Sequence, residues 1–308
     1  MPIFSDTPED ALVHLAELLD HAPIKADIDD LAAMWEMTTI RITCTRPHGL
    51  EEYPEFSVRL RGAFGQAIKN QPAKTNWRGL ASPLPHEVLF RGIGIDTNGN
   101  ERQKPIVIRG WVERNSMIVE VRLFGLARWF TQAASSAMQS VLSEGISLGG
   151  SRPLRVPAEI HEVTVEETSF VELPERASSI VLALRSPFSV RHRSNLASDP
   201  RSILRAIPRR LSALAPWMAL DLQPDDGCLQ REIEEITMGT HELMPYSWVR
   251  HSKNRGHDPI HMAGYLGNLQ LNGRMSALAK AIALAQHCNA GSHASLGLGW
   301  FDAAIYTV

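Results

Sequence analysis

The sequence predicts an α+β protein of two tandem ferredoxin-like domains, each a β-α-β-β-α-β unit with a glycine-rich loop before its last strand. Two observations carry this. Segments with strand alternation and segments with helical periodicity follow one another in the same order in both halves of the chain. Each half also closes on a similar run: "EGISLGGSRPLRVPAEI" (144–160) and "GSHASLGLGWFDAAI" (291–305) both read Ser-Leu-Gly, then an alternating strand ending in Ala-x-Ile. The length, 308 residues, suits about two domains of ~150 residues.

Residues 1–36 read as an acidic helical extension, with nine carboxylates against Lys25 alone. The first domain, 37–165, opens with the strand "TTIRITCTRP". The helix "PEFSVRLRGAFGQAIKN" follows, with Phe56, Leu60, Phe64, Ala67 and Ile68 on one face. Gly62 and Gly65 are expected to let that helix approach a sheet closely. "HEVLFRG", "KPIVIRGWV" and "SMIVEVRLFG" read as strands, and "LARWFTQAASSAMQSVL" as a helix with Ala133, Ala137 and Val141 on its apolar stripe. "HEVTVEETSFVELPERAS", acidic, proline-bearing and without helical period, reads as the linker.

The second domain, 176–308, begins with the strand "SSIVLALRSPFSV". The helix "DPRSILRAIPRRLSALAP" places Ile203, Ile207, Leu211 and Leu214 inward and is expected to kink at Pro208. Arg201, Arg205 and Arg209 fall at i, i+4 and i+8 on its outer face. "ELMPYSWVRHS", "HMAGYLG" and "NLQLNG" read as three short strands, and "RMSALAKAIALAQH" as the last helix.

Composition is that of a globular protein, 44% apolar and 21% charged. No uncharged run reaches the ~18 residues a membrane span requires, and the acidic N-terminus has no signal-peptide n-region. Three distant cysteines exclude a disulfide framework or a cysteine-rich zinc site. The expectation is a cytoplasmic protein without a membrane partner. Net charge is −3, yet Arg185–Arg210 holds seven arginines against Asp199 alone. Charge acts locally over ~8–10 Å in physiological salt, so such a face suits a polyanion.

Two halves of this kind resemble the RAMP superfamily of CRISPR-associated RNA-binding proteins, in which the domains are RRM-like. Within it the chain is similar to the repeat-cleaving endoribonucleases. "LRGAFGQAIK" resembles that family's first-helix pattern, "EGISLGGSRPLRV" its mid-chain glycine segment, and "SWVRHSKNRG...MAGYLGNLQLNG" its Arg-x-Ser segment and following strand. "GSHASLGLGWF" matches its C-terminal loop, with Gly291, Gly297 and Gly299 on the family's glycines. The resemblance covers roughly residues 40–308.

The resemblance implies a protein that binds CRISPR repeat RNA and cuts precursor RNA without metal or cofactor. The substrate's 2′-OH would attack the adjacent phosphate and leave a cyclic phosphate. Such chemistry needs a proton donor or acceptor near neutral pKa and a cation over the phosphate. It also places the catalytic histidine in or near the first helix, which makes His48, in "CTRPHGLEEYPEF", the first choice, with Arg61 and Lys69 stabilising charge. His251 is the second. His251, His257 and His261 have spacings a metal site would allow, but Arg250, Lys253 and Arg255 would repel a cation. That stretch, with Ser252, reads instead as RNA backbone contact, together with the Arg201, Arg205 and Arg209 row. The glycines at 291, 297 and 299 are expected to present bare N–H groups to phosphate. The alternative is a non-catalytic RAMP subunit that holds guide RNA among other CRISPR-associated proteins of an effector complex.

Overall fold

The computed structural model describes residues 4–22, 24–51, 53–76, 78–95, 99, 101–147, 155–192, 195–196, 199–223, 227–251 and 259–307. They form two compact units, Met1–Glu172 with Ser212–Gln223, and Leu173–Leu211 with Pro224–Val308.

The first unit begins with α1 (Pro8–Asp20), β1 (Ile24–Ala26) and α2 (Ile28–Ala33). Thr7 caps α1, and an Asp27–Asp30 capping box starts α2, each satisfying N–H groups that a helix start leaves open. The acidic segment is not an appendage: α1 buries Ala11, Leu15 and Leu19, and Asp20 pairs with Arg102. Its sheet follows as β2 (Met37–Thr45), α3 (Phe56–Ala67), β3 (Ile106–Glu113), β4 (Ser116–Phe124), α4 (Thr131–Glu144), the short pair β5 (Ile146–Ser147) and β6 (Arg155–Val156), and β7 (Ile160–Thr168). The antiparallel order β3-β4-β2-β7 is the β-α-β-β-α-β arrangement, with the first and third strands central.

Ile40, Ile42, Val119, Val121, Leu123, Ile106 and Ile108 line one face of this sheet, and Leu60, Phe64, Ala137 and Met138 on the helices are buried with them. Each large apolar side chain so buried contributes about 1.5–3 kcal/mol. The close helix–sheet approach is set by Gly110 on β3, where a Cβ would lie 2.3 Å from Leu60 Cδ1. The two glycines expected to do this do otherwise. Gly65 receives the Phe90 ring, at 1.9 Å from a built Cβ, and Gly62 faces open space.

Two segments differ from expectation. "HEVLFRG" is a π-helical turn, Glu87–Arg91, rather than a strand. The first eight residues of the "linker" belong to β7, paired in register with β2 from Met37↔Thr168 to Thr43↔Glu162, so the expected boundary at 165 falls inside a strand.

The second unit contains β8 (Ala177–Phe188), the hairpin β9 (Arg191–His192) and β10 (Asn195–Leu196), and α5 (Arg201–Leu214), which continues through Pro208. Next comes β11 (Leu220–Leu222), which pairs in parallel with β1 and belongs to the first unit. The second unit resumes with α6 (Cys228–Glu235), β12 (Thr237–His241), β13 (Met244–His251), β14 (Pro259–Met275), α7 (Ala277–Cys288) and β15 (Phe301–Tyr306). Its sheet order is β12-β14-β8-β15, with β13 also on β14. The two expected short strands "HMAGYLG" and "NLQLNG" are one 17-residue strand. Its register on β8 shifts between Tyr265 and Gly267, where Gly267 takes φ +106°. A bulge of this kind bends a strand without ending it.

Candidate nucleic-acid interface

The His48 loop is built by Arg46. Its Nε and Nη2 donate to Leu50 O at 2.9 and 2.6 Å, and its Nη1 donates to Arg114 O at 3.4 Å. Leu50 N donates to Pro47 O, and Arg46 N to Asn115 O. These bonds close a turn over Pro47–Leu50 and fasten it to the β3–β4 connection. His48 stands exposed at its tip. Further along the same connection Tyr53 donates its hydroxyl to Glu51 Oε2 at 3.3 Å, and the Arg59 guanidinium lies 4.7 Å from the Tyr53 ring centre.

The other two residues expected to serve with His48 lie in different surroundings. Arg61 is buried, stacks 4.4 Å over Phe90 and donates to Phe90 O at 3.4 Å. It holds the π-helical turn to α3. Its position explains this, since Phe64, Gly65 and Ile68 follow at helical spacing and share its inward face. Lys69 is exposed on the turn after α3, about 20 Å of helical rise beyond Phe56. Arg59, over the Tyr53 ring, is a cation that sequence reasoning passed over. It lies two residues before Arg61, about 200° around the helix at 3.6 residues per turn.

In the second unit the arginine row is divided in its tasks. Arg201 donates to Ile233 O and Ile236 O, and Arg205 pairs with Asp199 and Glu234 at 3.1 and 2.7 Å. Both fasten α5 to the end of α6. Arg209 is exposed. Elsewhere in the arginine-rich stretch, Arg185 pairs with Asp302 at 2.7 Å, and buried Arg210 donates to Cys288 O.

The C-terminal loop uses its glycines for packing. A Cβ on Gly299 would sit 1.7 Å from Ala290 O, and one on Gly291 2.6 Å from Ser189 O, both residues having positive φ. The N–H groups expected to face phosphate at Gly297 and Gly299 instead donate to Ala294 O and Pro187 O. Ser292, Leu296 and Leu298 likewise donate to Ser189 O, His293 O and His293 O. The loop is a hydrogen-bonded plug between α7 and β15. The N-terminus of α7 is also occupied: Glu232 on α6 accepts from Ser276 N at 2.9 Å and Leu278 N at 2.8 Å. The matching mid-chain segment, 148–154, lies outside the described residues.

Arg250 lies half-buried near the end of β13. His251 is described in backbone only, and Ser252, Lys253 and Arg255 lie outside the described residues. Sequence reasoning also passed over Tyr246 and Trp248, which precede Arg250 at strand spacing and stack on one another.

On the sheet of the first unit, Glu120 on β4 accepts from Arg41 at 2.6 Å and Arg122 at 2.7 Å. Burial alone would push its carboxyl up, but the Arg122, Arg41 and Arg109 guanidiniums outweigh this and hold it below the usual range. Burial pushes the Cys44 thiol up to about 11. Among the described residues no group of three His, Cys, Asp or Glu is placed to hold a metal ion. No described helix is long and apolar enough to cross a membrane.

Residues 182–301 match the family model of the CRISPR-associated endoribonuclease Cas6. No curated protein matches the chain by sequence. Among solved structures, a Cas6 product complex aligns with a TM-score of 0.55 at 16% identity, covering 87% of this chain and 99% of that one. Thermus thermophilus Cas6 aligns with a TM-score of 0.54 at 15% identity, covering 88% and 99%. At these identities the likeness shows a common fold. The second unit is thus similar to the Cas6 family over residues 182–301, and the chain as a whole shares the fold of the solved Cas6 structures.

Proposed function

We propose that this protein is an endoribonuclease that binds CRISPR repeat RNA and cleaves precursor CRISPR RNA. The observation that carries the reading is the Cas6 match over residues 182–301, which spans most of the second unit's sheet, α7 and the C-terminal loop. Solved relatives of the same fold include a Cas6 product complex and a Cas6 substrate-mimic complex.

In the mechanism the RNA's own 2′-OH attacks the adjacent phosphate, giving a 2′,3′-cyclic phosphate and a 5′-OH. His48, exposed on its pinned turn, takes or gives the proton. Arg59, over the Tyr53 ring, supplies charge over the phosphate, since Arg61 is buried on Phe90.

The test is single-turnover cleavage of repeat RNA. His48→Ala is expected to slow the cut by about two to four orders of magnitude, the usual share of general acid–base catalysis, with RNA affinity little changed. Cleavage is expected to continue in EDTA and to stop when the nucleotide 5′ of the cut is 2′-deoxy. One observation favours a second reading, a subunit that binds RNA without cutting it: His48 lies outside the stretch that matches the family. Tight binding of repeat RNA by the wild-type chain with no cleavage would establish it.

A further inference from the structure

From Pro259 to Gly264, the only strand that β14 pairs with among the described residues is β13. Its pairing with β8 begins at Tyr265↔Phe188 and with β12 at Leu269↔His241. The two strands there form a ribbon that runs beyond the sheet. An isolated hairpin is marginally stable in water. This one carries Tyr246 and Trp248, both part-exposed, on the face that holds the buried Met262, and Val249, 47% exposed, on the other. Part-exposed aromatic groups on a ribbon end offer a surface to an occupant.

Tyr246, Trp248 and Arg250 alternate along β13 and so share one face. The Tyr246 and Trp248 rings are stacked, their centres 5.7 Å apart and their planes 29° apart. The cross-strand partner of Tyr246 is Gly264, and that of Trp248 is the buried Met262. Gly264 packs against Pro187, which lies 3.0 Å from the place a Cβ would take, and Met262 is buried, so the open part of this face is the Tyr246–Trp248 pair. A groove of about 320 Å³ runs along the ribbon, lined by Trp248, Ser247, His261 and Leu196 of the β9–β10 hairpin. Trp248 Nε1 is shielded from solvent and has no hydrogen-bond acceptor among the described residues. A shielded N–H without an acceptor costs about 1–3 kcal/mol.

The occupant is set by charge. Along residues 244–261 the sequence carries Arg250, Lys253 and Arg255 against Asp258 alone, and Arg191 and Arg193 precede Leu196 in the chain. An aromatic pair continued by a guanidinium, in a cation-rich segment, matches a nucleobase with its phosphate and not an apolar peptide. We propose that the β13–β14 ribbon is a stacking platform for unpaired RNA bases. Tyr246 and Trp248 offer the π-face, and the groove beside Trp248 receives the base edge. This rests on the RNA-binding reading above and adds to it a subsite selective for single-stranded nucleotides. In a duplex each base face is already stacked, so paired RNA has none to offer.

The test measures fluorescence anisotropy with two labelled probes, an unpaired RNA 10-mer and a 10-base-pair RNA duplex, across a salt series. Trp248→Leu is expected to weaken binding of the unpaired probe roughly five- to hundredfold, the range for loss of one base–aromatic stack, and to leave the duplex and the salt slope unchanged. Trp248→Phe should keep most of the affinity. Arg250→Gln should lower the log–log salt slope by about 0.7, one single-strand phosphate contact. Equal binding by Trp248→Leu and wild type, or equal loss for both probes, overturns the platform. Should Trp248→Leu fail to fold, ultraviolet cross-linking of a 4-thiouridine 10-mer to the wild-type chain decides. Adducts in the peptide holding Tyr246 and Trp248 support the platform, and adducts only elsewhere overturn it. A wild-type chain that binds neither probe overturns the RNA-binding reading itself, an outcome distinct from failure of the ribbon alone.

Discussion

Arg201, Arg205 and Arg209 look equivalent in a sequence, one turn apart on one helix face, yet the fold gives them different work. Arg201 and Arg205 satisfy carbonyls and carboxylates around α6, while Arg209 is exposed. Periodicity shows which face a residue occupies but not what stands opposite it, so the row was legible and its division was not. The consequence is measurable in repeat-RNA titrations. Arg209→Ala is expected to lower the log–log salt slope by about 0.7 if it meets one phosphate of a single strand, and to leave the unfolding midpoint unchanged. Arg201→Ala removes the donor for two carbonyls and is expected to destabilise the protein by about 1–3 kcal/mol. Urea unfolding of the two variants separates these outcomes. A loss of stability in Arg209→Ala, or none in Arg201→Ala, would reverse the assignment. Arg61 makes the same point. The residue carries a charge, but its spacing from Phe64 and Ile68 puts it on the buried face, a signal that was present in the sequence and was outweighed by the chemistry expected of arginine.

At the scale of elements, the helices and the central strands were legible because their apolar periods are strong. The misread segments were those decided by tertiary partners. In β7, "HEVTVEET" alternates correctly, but its valines are partly exposed, Val163 at 36% and Val165 at 52%, so nothing in its composition marks a strand. Only the register on β2 makes it one. "HEVLFRG" has strand-forming residues that a guanidinium stack and a glycine pocket hold in a π-helical turn instead. The sheet of the first unit also carries a pH dependence. Glu120 is buried among Arg41, Arg122 and Arg109 with its pKa lowered. A lowered carboxyl contributes stability above its unfolded value, about 4.3, and that contribution is lost as pH falls through the folded value. Glu120→Gln leaves the shielded Arg122 and Arg109 guanidiniums without this counter-charge, while Arg41 is half exposed, so the loss is expected to fall below the ~3–5 kcal/mol of a fully buried pair. Urea unfolding should show this deficit at pH 7, and it should narrow once pH falls through the lowered folded value and the wild-type carboxyl takes up a proton. A deficit that stays constant with pH would assign it to packing.

For the whole molecule, the tandem plan could be read from the repeated order of strands and helices, because each unit closes its own sheet. The N-terminal segment could not, because acidity suggests a solvated extension and the chain that meets it is remote in sequence. β1 pairs with β11, nearly two hundred residues later, and Trp217 Nε1 in that later segment donates to Gln103 O. Long-range pairing of this kind leaves no local mark beyond the apolar stripe of α1. That stripe, Ala11, Leu15 and Leu19, is buried, and α1 ends in Asp20, the partner of Arg102. Deleting residues 1–22 should therefore cost the first unit the burial of two leucines, about 3–6 kcal/mol at 1.5–3 each. It also strands Arg102, a shielded guanidinium, without its carboxylate. Urea unfolding of the truncated chain should show a lowered midpoint. Leu15→Ala should reproduce about 2–5 kcal/mol of the loss in the intact chain, with no change in charge. If the truncated chain instead unfolds at the wild-type midpoint, the acidic segment is the dispensable extension its composition suggests, and the stability of the first unit rests on the βαββαβ sheet and its helices alone.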